Sequence, residues 1–203
     1  MPDLRPDLKL IAEMVCSNSR VLDVGCGDGL LLRHLWQEKK VDARGIELGM
    51  AGVNAAVRQG LAVIQGDADT DLENYPDQAF DYVILSQTLQ ATRNPREVLR
   101  HLLRIGRRAI VSFPNFCHWK VRLQLLFFGR MPVTPLLKQE WYDTSNIHLC
   151  SIKDFIALCH DLGIIIEEGY SLNHDGHKRA IKPHGFFGNL VGEQGVFLLN
   201  KEK

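Results

Sequence analysis

Residues 20 to 29 read Arg-Val-Leu-Asp-Val-Gly-Cys-Gly-Asp-Gly, and no other stretch limits the fold so tightly. Val21, Leu22 and Val24 make a short apolar run of β-branched and aliphatic residues, the composition of a strand buried on both faces of a parallel sheet. The run stops at Gly25. Gly25, Gly27 and Gly29 carry no Cβ and adopt positive φ without strain, so the chain turns sharply there and a ligand has room against its backbone. Leu30, Leu31, Leu32, Leu35 and Trp36 then recur at helical spacing. Strand, glycine turn and helix in this order build a nucleotide-type pocket at the carboxyl end of a first strand.

The spacing of the glycines is G-x-G-x-G. The dinucleotide fingerprint G-x-G-x-x-G needs a third small residue at position 30, where helix and strand pack closely, and Leu30 stands there. Asp23 sits inside the strand end, where a carboxylate attracts an ammonium and repels a pyrophosphate. NAD is therefore the lesser alternative. The next apolar run, Ala43 to Ile46, ends in Glu47, about twenty residues past the turn, the usual place for an acid that accepts both ribose hydroxyls. Val63-Ile64-Gln65 leads into Gly66-Asp67-Ala68, a third strand end with an acid. Three acids closing three successive strands resemble the S-adenosylmethionine (SAM) site of class I methyltransferases. By that resemblance Asp23 and the turn residues Gly25, Cys26 and Gly27 flank the methionine end, Glu47 holds the ribose, and Asp67 with the Ala68 amide reads the adenine edge.

A chain of 203 residues with 45% hydrophobic content has enough apolar material for one domain with a full core. Its 24 basic and 24 acidic residues cancel, leaving no global field to draw in nucleic acid or an anionic membrane. The N-terminal residues lack an apolar signal core, and the run Leu123 to Phe128 is too short to span a bilayer, so a cytoplasmic location is expected. Five cysteines, Cys16, Cys26, Cys117, Cys150 and Cys159, are scattered with no C-x-x-C pair, which argues against disulfides and a structural zinc. No metal site is expected.

Along the chain, Leu8, Ile11, Met14 and Val15 share one helical face before the first strand, a helix expected to serve packing and not chemistry. Helices are expected at residues 28 to 38 and 51 to 59, and a fourth strand at Phe80 to Leu85. Ser86 and Gln87 follow at that strand's carboxyl end, pointing into the pocket. Asn94 as N-cap and Pro95 at the first helical position open a helix to about Leu103, and Arg107 to Phe113 forms a fifth strand. Arg96, Arg100 and Arg104 make a basic stripe on that helix, read as a solvated face. Five strands alternating with helices give a doubly wound parallel sheet.

Beyond the fifth strand the alternation breaks. His118 to Phe128 is apolar around almost its whole circumference, which a helix lying on one sheet face does not require. Either it is deeply buried or a partner covers it. A loop of about twenty residues follows, the length of functional lids and binding surfaces. Ser151 and Asp154 form a capping-box start for a helix carrying Phe155, Ile156, Leu158 and Leu162. Ile164 to Ile166 and Val196 to Leu199 supply two last strands, and residues 171 to 190 between them are expected to be a polar, mobile loop.

The runs SRVLDVGCGDG, FPNFCHWKVR, GRMPV, WYDTSNIHLCSIKDF and NLVGEQGVF resemble, in order and spacing, the methionine-biosynthesis MetW family. The resemblance covers about residues 7 to 199. It implies a class I methyltransferase, Rossmann-like fold: a mostly parallel seven-stranded sheet with helices on both faces and the last strand antiparallel. The whole of residues 1 to 203 is then a single methyltransferase-like domain, with a helix-and-loop insertion at about 117–150. It also implies SAM as cofactor and a homoserine O-acyltransferase as partner, without a methyl acceptor. Gln87 occupies the acceptor-facing position, and the Asn-Pro-Pro-Tyr type motif of amide-nitrogen methylation is absent. His118, Tyr142 and His148 are the candidate bases. Nothing carries over onto His174, His177 or His184. Three readings remain: a methyltransferase on a small molecule or protein, a SAM-binding subunit of an acyltransferase, and an interaction subunit without ligand.

Overall fold

The strand that leads into the glycine turn is β1, Arg20–Val24. Leu22 and Val24 face one side of the sheet and Val21 the other, and all three are buried, so β1 is held between two apolar layers. The same alternation recurs in β4 (Phe80–Ser86), β5 (Gly106–Pro114) and β8 (Gln194–Lys201), which explains runs such as Val83-Ile84-Leu85 with no polar break. This computed structural model describes residues 4–134, 137–181 and 186–201.

The sheet order is β3-β2-β1-β4-β5-β8-β6-β7, with β2 at Asp42–Glu47, β3 at Ala62–Gln65, β6 at Ile164–Leu172 and β7 at Lys178–Ala180. β1 to β5 pair in parallel, while β8 runs antiparallel to both β5 and β6. Helices α1 (Pro6–Met14) and α2 (Leu30–Lys39) pack on one face around Ile11, Leu31 and Leu35. Helix α3 (Met50–Arg58) closes a smaller cluster beside it with Val53 and Ala56. Helices α4 (Pro95–Ile105) and α6 (Ile152–Asp161) cover the other face, where Phe113 and Phe197 stack and Phe155 packs tilted against both. Asn94 caps α4 through its side chain, and Ser151 and Asp154 form the full capping box at α6, as their spacing predicts.

Two expectations change. The sheet has eight strands where seven were expected, and the segment read as a polar mobile loop contains the extra one. β6 runs six residues past Ile166, across a bulge between Ile166 and Glu168, and turns back at Asn173 to His177 to pair with β7. Near the sheet edge one face of β6 stays wet, so Glu167 and Glu168 fit the strand without an apolar signature. A short helix, α7 (Phe186–Val191), follows; His184 lies outside the described residues. The second change concerns α5 (Trp119–Phe128): of its ten residues only Val121 is buried, so deep burial is excluded for this helix.

The basic stripe divides. Arg100 pairs with Glu97 on the solvated face, whereas Arg104 donates to the carbonyls of Leu72 and Tyr75 and to Asp77, fastening α4 to the connection before β4. Among the described residues no helix is long and apolar enough to cross a membrane.

Candidate functional site

The strand order reverses between β1 and β4, which is where a doubly wound sheet opens a crevice beyond the carboxyl ends of its strands. A cleft of ≈ 350 Å³ lies there, lined among others by Gly25, Glu47, Asp67, Ala68, Gln87 and Thr88. Small-molecule sites begin at about 300 Å³. The glycine turn is pinned from below: the amides of Gly25 and Cys26 both donate to the Ile46 carbonyl, at 2.8 and 3.2 Å. Gly25 has φ +75°, and a Cβ on it would stand 2.6 Å from Thr88 Oγ1, so only glycine allows the post-β1 and post-β4 segments to close on each other.

Glu47 joins the turn to the second strand. One carboxylate oxygen accepts the Gly27 amide at 2.8 Å and the other accepts the Gly49 amide at 2.8 Å. Each oxygen retains a further lone pair, so the group is oriented without being saturated. Asp67 accepts the Asp69 amide, and the Asp69 carboxylate in turn accepts the amides of Arg93 and Asn94 at the start of α4. The loop after β3 is thereby fixed to the opposite wall of the cleft. Gln87 holds φ 52°, a left-handed conformation unusual for a residue with a side chain, and its side-chain Nε2 donates to Gln194 Oε1 at 2.8 Å. Backbone strain of this kind concentrates at ligand sites.

Asp23 lies deeper than the cleft lining. It is 2% exposed, and its Oδ1 is shielded with no hydrogen-bond partner among the described residues. Burial, partly offset by the charge of Arg5 and reinforced by that of Glu47, pushes its carboxyl up to about 7. Sequence reasoning missed the residues around it. Arg5 pairs with Asp7 at 3.1 Å, and Asp7, itself buried, accepts from the Ser112 hydroxyl at 3.3 Å. The start of α1 therefore borders the site, although its spacing reads as packing alone.

The other expected residues fall elsewhere. The Cys26 side chain points into the cluster of Leu32, Val53 and Val63, and burial pushes its thiol well above the usual range. Its backbone alone belongs to the turn. Gly27 contributes its amide to Glu47, and Ser86 its carbonyl to the Thr88 hydroxyl. The three candidate bases are not gathered at the cleft. His118 is buried at the start of α5, where Nδ1 accepts the Lys120 amide; burial lowers its pKa. Tyr142 is exposed, edge-on to Trp141, and His148 is exposed with its backbone amide on the Gln90 carbonyl. From the long loop, Ser145 reaches the cleft wall.

Residues 5–199 match the profile of a family described as methionine biosynthesis protein MetW. The chain belongs to the MetW family. A curated relative, the bifunctional methionine biosynthesis protein MetXA/MetW of Rhodopirellula baltica, is 35% identical over 208 residues, covering 98% of this chain and 33% of the relative. The chain spans about a third of the length of the curated relatives it matches. Among solved structures, a SAM-dependent methyltransferase of Mesorhizobium loti superposes with a TM-score of 0.69 at 14% identity, covering 97% of this chain and 98% of that one. Another from Thermotoga maritima gives 0.68 at 17% identity, covering 97% and 88%. The MetW chain thus has the class I methyltransferase fold, with helices on both faces of a mostly parallel sheet and β8 antiparallel.

Proposed function

We propose that this chain is a SAM-binding protein of methionine biosynthesis that acts with a homoserine O-acyltransferase. The observation that carries the binding half is Asp23: a buried carboxylate oxygen without a partner at the end of β1 lacks the donor that a ligand ammonium supplies. The remaining donor set fits the same molecule. Glu47, held by two amides, would take the ribose diol; Asp67 and the Ala68 amide would meet the adenine edge; Gly25 leaves backbone room between them. SAM supplies a methyl group on a sulfonium, and its net positive charge suits a cleft lined by Glu47 and Asp67 with Asp23 buried behind them. A pyrophosphate would meet those same carboxylates.

A role in methyl transfer has less support. In-line transfer needs the acceptor positioned against the methyl and, where the acceptor loses a proton, a base within reach. His118 is committed to capping α5, and Tyr142 and His148 face solvent. The partner half is supported by the Rhodopirellula baltica relative, in which MetXA and MetW share one polypeptide. The test is an assay of purified homoserine O-acyltransferase with and without this chain, each with and without SAM. A change in turnover that requires the chain and is altered by SAM is expected; unchanged turnover in all four conditions would remove the acyltransferase from the account.

A further inference from the structure

The least explained part of the molecule is α5. Its apolar residues are not core: Leu126, Phe127 and Phe128 are 74%, 72% and 74% exposed, and Trp119, Leu123 and Leu125 are exposed as well. Beside the helix lies a pocket of ≈ 450 Å³ lined by Trp119, Leu123, Gln124 and Phe127 on one side and by Val133 and Leu137 on the other. Gln124 sets one further requirement. Its side-chain carbonyl oxygen is shielded from water and has no hydrogen-bond partner among the described residues. An acceptor left in that state is available to a donor brought by whatever fills the pocket. The segment that follows adds exposed Trp141, Tyr142, Ile147 and Leu149, and aromatic residues of this kind anchor protein interfaces.

We propose that the apolar face of α5, with the pocket beside it, is the surface on which the homoserine O-acyltransferase docks. The inference rests on the partnership proposed above. Three observations favour that occupant. In the Rhodopirellula baltica relative a MetXA segment is joined covalently to a MetW segment that aligns with 98% of this chain, so a MetW fold there is held beside its neighbour permanently. An apolar face that size on a chain working alone is an aggregation hazard, and a constant companion removes it. Charge narrows the partner further. On α5 and the turn after it Arg122, Arg130 and Lys138 are basic, Lys120 is held by Glu193 of the pocket wall, and Glu140 and Asp143 follow on the adjoining segment. The complementary surface is therefore apolar, with acidic groups opposite α5 and basic ones opposite residues 140 to 143. A lipid surface shares the taste for apolar and basic residues but offers no directed donor for Gln124 inside a concave pocket.

The surface also reaches the cleft. The amides of Ile147 and His148 both donate to the Gln90 carbonyl at 3.0 Å, and Gln90 Nε2 donates to the carbonyl of Gln87, which lines the cleft. A partner resting on residues 141 to 149 thus presses on the wall of the ligand site through two hydrogen-bonded steps.

The test titrates immobilised full-length chain with purified homoserine O-acyltransferase, comparing wild type, the double variant Leu126→Glu/Phe127→Glu, and Ile64→Glu on exposed β3 as a control. The expected result is equal affinity for wild type and Ile64→Glu and at least tenfold weaker binding for the double variant, with its melting temperature unchanged. Should the double variant fail to fold, Phe128→Ser is read in the same way. Wild-type affinity in the folded α5 variant would overturn the surface while leaving the partnership standing. No binding by wild type would overturn the partnership and this surface with it. Binding of wild type, but not the double variant, to vesicles containing phosphatidylglycerol, or self-association lost in the double variant, each without acyltransferase binding, would assign the face to lipid or to a second copy and overturn the proposal.

Discussion

Glu47 accepts the amide of Gly27 at 2.8 Å, so the acid that ends β2 and the glycine turn that follows β1 act as one unit. The carboxylate is aimed before any ligand arrives, and an oriented group loses little freedom on binding. If Glu47 holds the ribose as proposed, replacing it with Ala removes a charge-assisted contact worth about 1.5 to 3 kcal/mol, so calorimetry should show SAM affinity falling by roughly 10- to 150-fold. The same substitution strands the Gly27 and Gly49 amides, and a small drop in melting temperature should accompany it. Unchanged affinity would dismiss Glu47 from the site.

Asp23 makes both stability and binding depend on pH. Its carboxyl stands at about 7 in the folded chain against an ordinary value of 3.8. Between those values the native state keeps a proton that the unfolded chain has released, so stability falls as pH rises through this window and levels off above about 7. Asp23→Asn should therefore melt above wild type at pH 8, with the gap closing toward pH 4. A ligand ammonium favours the ionised carboxylate, so SAM binding by wild type should weaken as pH drops below about 7 and release a proton there. Calorimetry in buffers of different ionisation enthalpy reads that proton; none released by wild type at pH 6 would separate Asp23 from the ligand.

Arg104 illustrates a basic residue whose work is structural. Its guanidinium serves the carbonyls of Leu72 and Tyr75 and the carboxylate of Asp77, a fan that the point charge of lysine does not reproduce. Arg104→Lys should cost about 2 kcal/mol, which in a chain this size lowers the melting temperature by roughly 4 to 8 °C, with SAM affinity untouched. Loss of affinity at full stability would return the stripe to a binding role.

The sequence is most informative where one residue type answers one local demand. Leu30 in place of a small residue, and acids at positions 23, 47 and 67, mark the cleft because each closes its own strand, and Glu47, Asp67 and Gln87 do line or border it. The misses share a different cause. Asp7 follows a proline in the first turn of α1, where an acid is favoured by the helix dipole alone, and its burial is decided by Ser112 on β5, 105 residues away. Cys26 sits in the turn by sequence, but the direction of its side chain depends on α3 packing across it. β7 escaped notice because Lys178, Arg179 and Ala180 form an exposed edge strand, held by pairing to β6 and not by any apolar face of their own. For α5, composition alone left burial and partner contact open, since both demand the same apolar residues.

The most direct measurement of the central claim is calorimetric titration of the full chain with SAM at pH 8, with NAD titrated in parallel. One SAM per chain should bind, with NAD giving no heat beyond dilution, because Leu30 stands where the dinucleotide turn needs a small residue and three carboxylates border the cleft. Absence of SAM binding by folded protein, or preferential binding of NAD, would contradict the account.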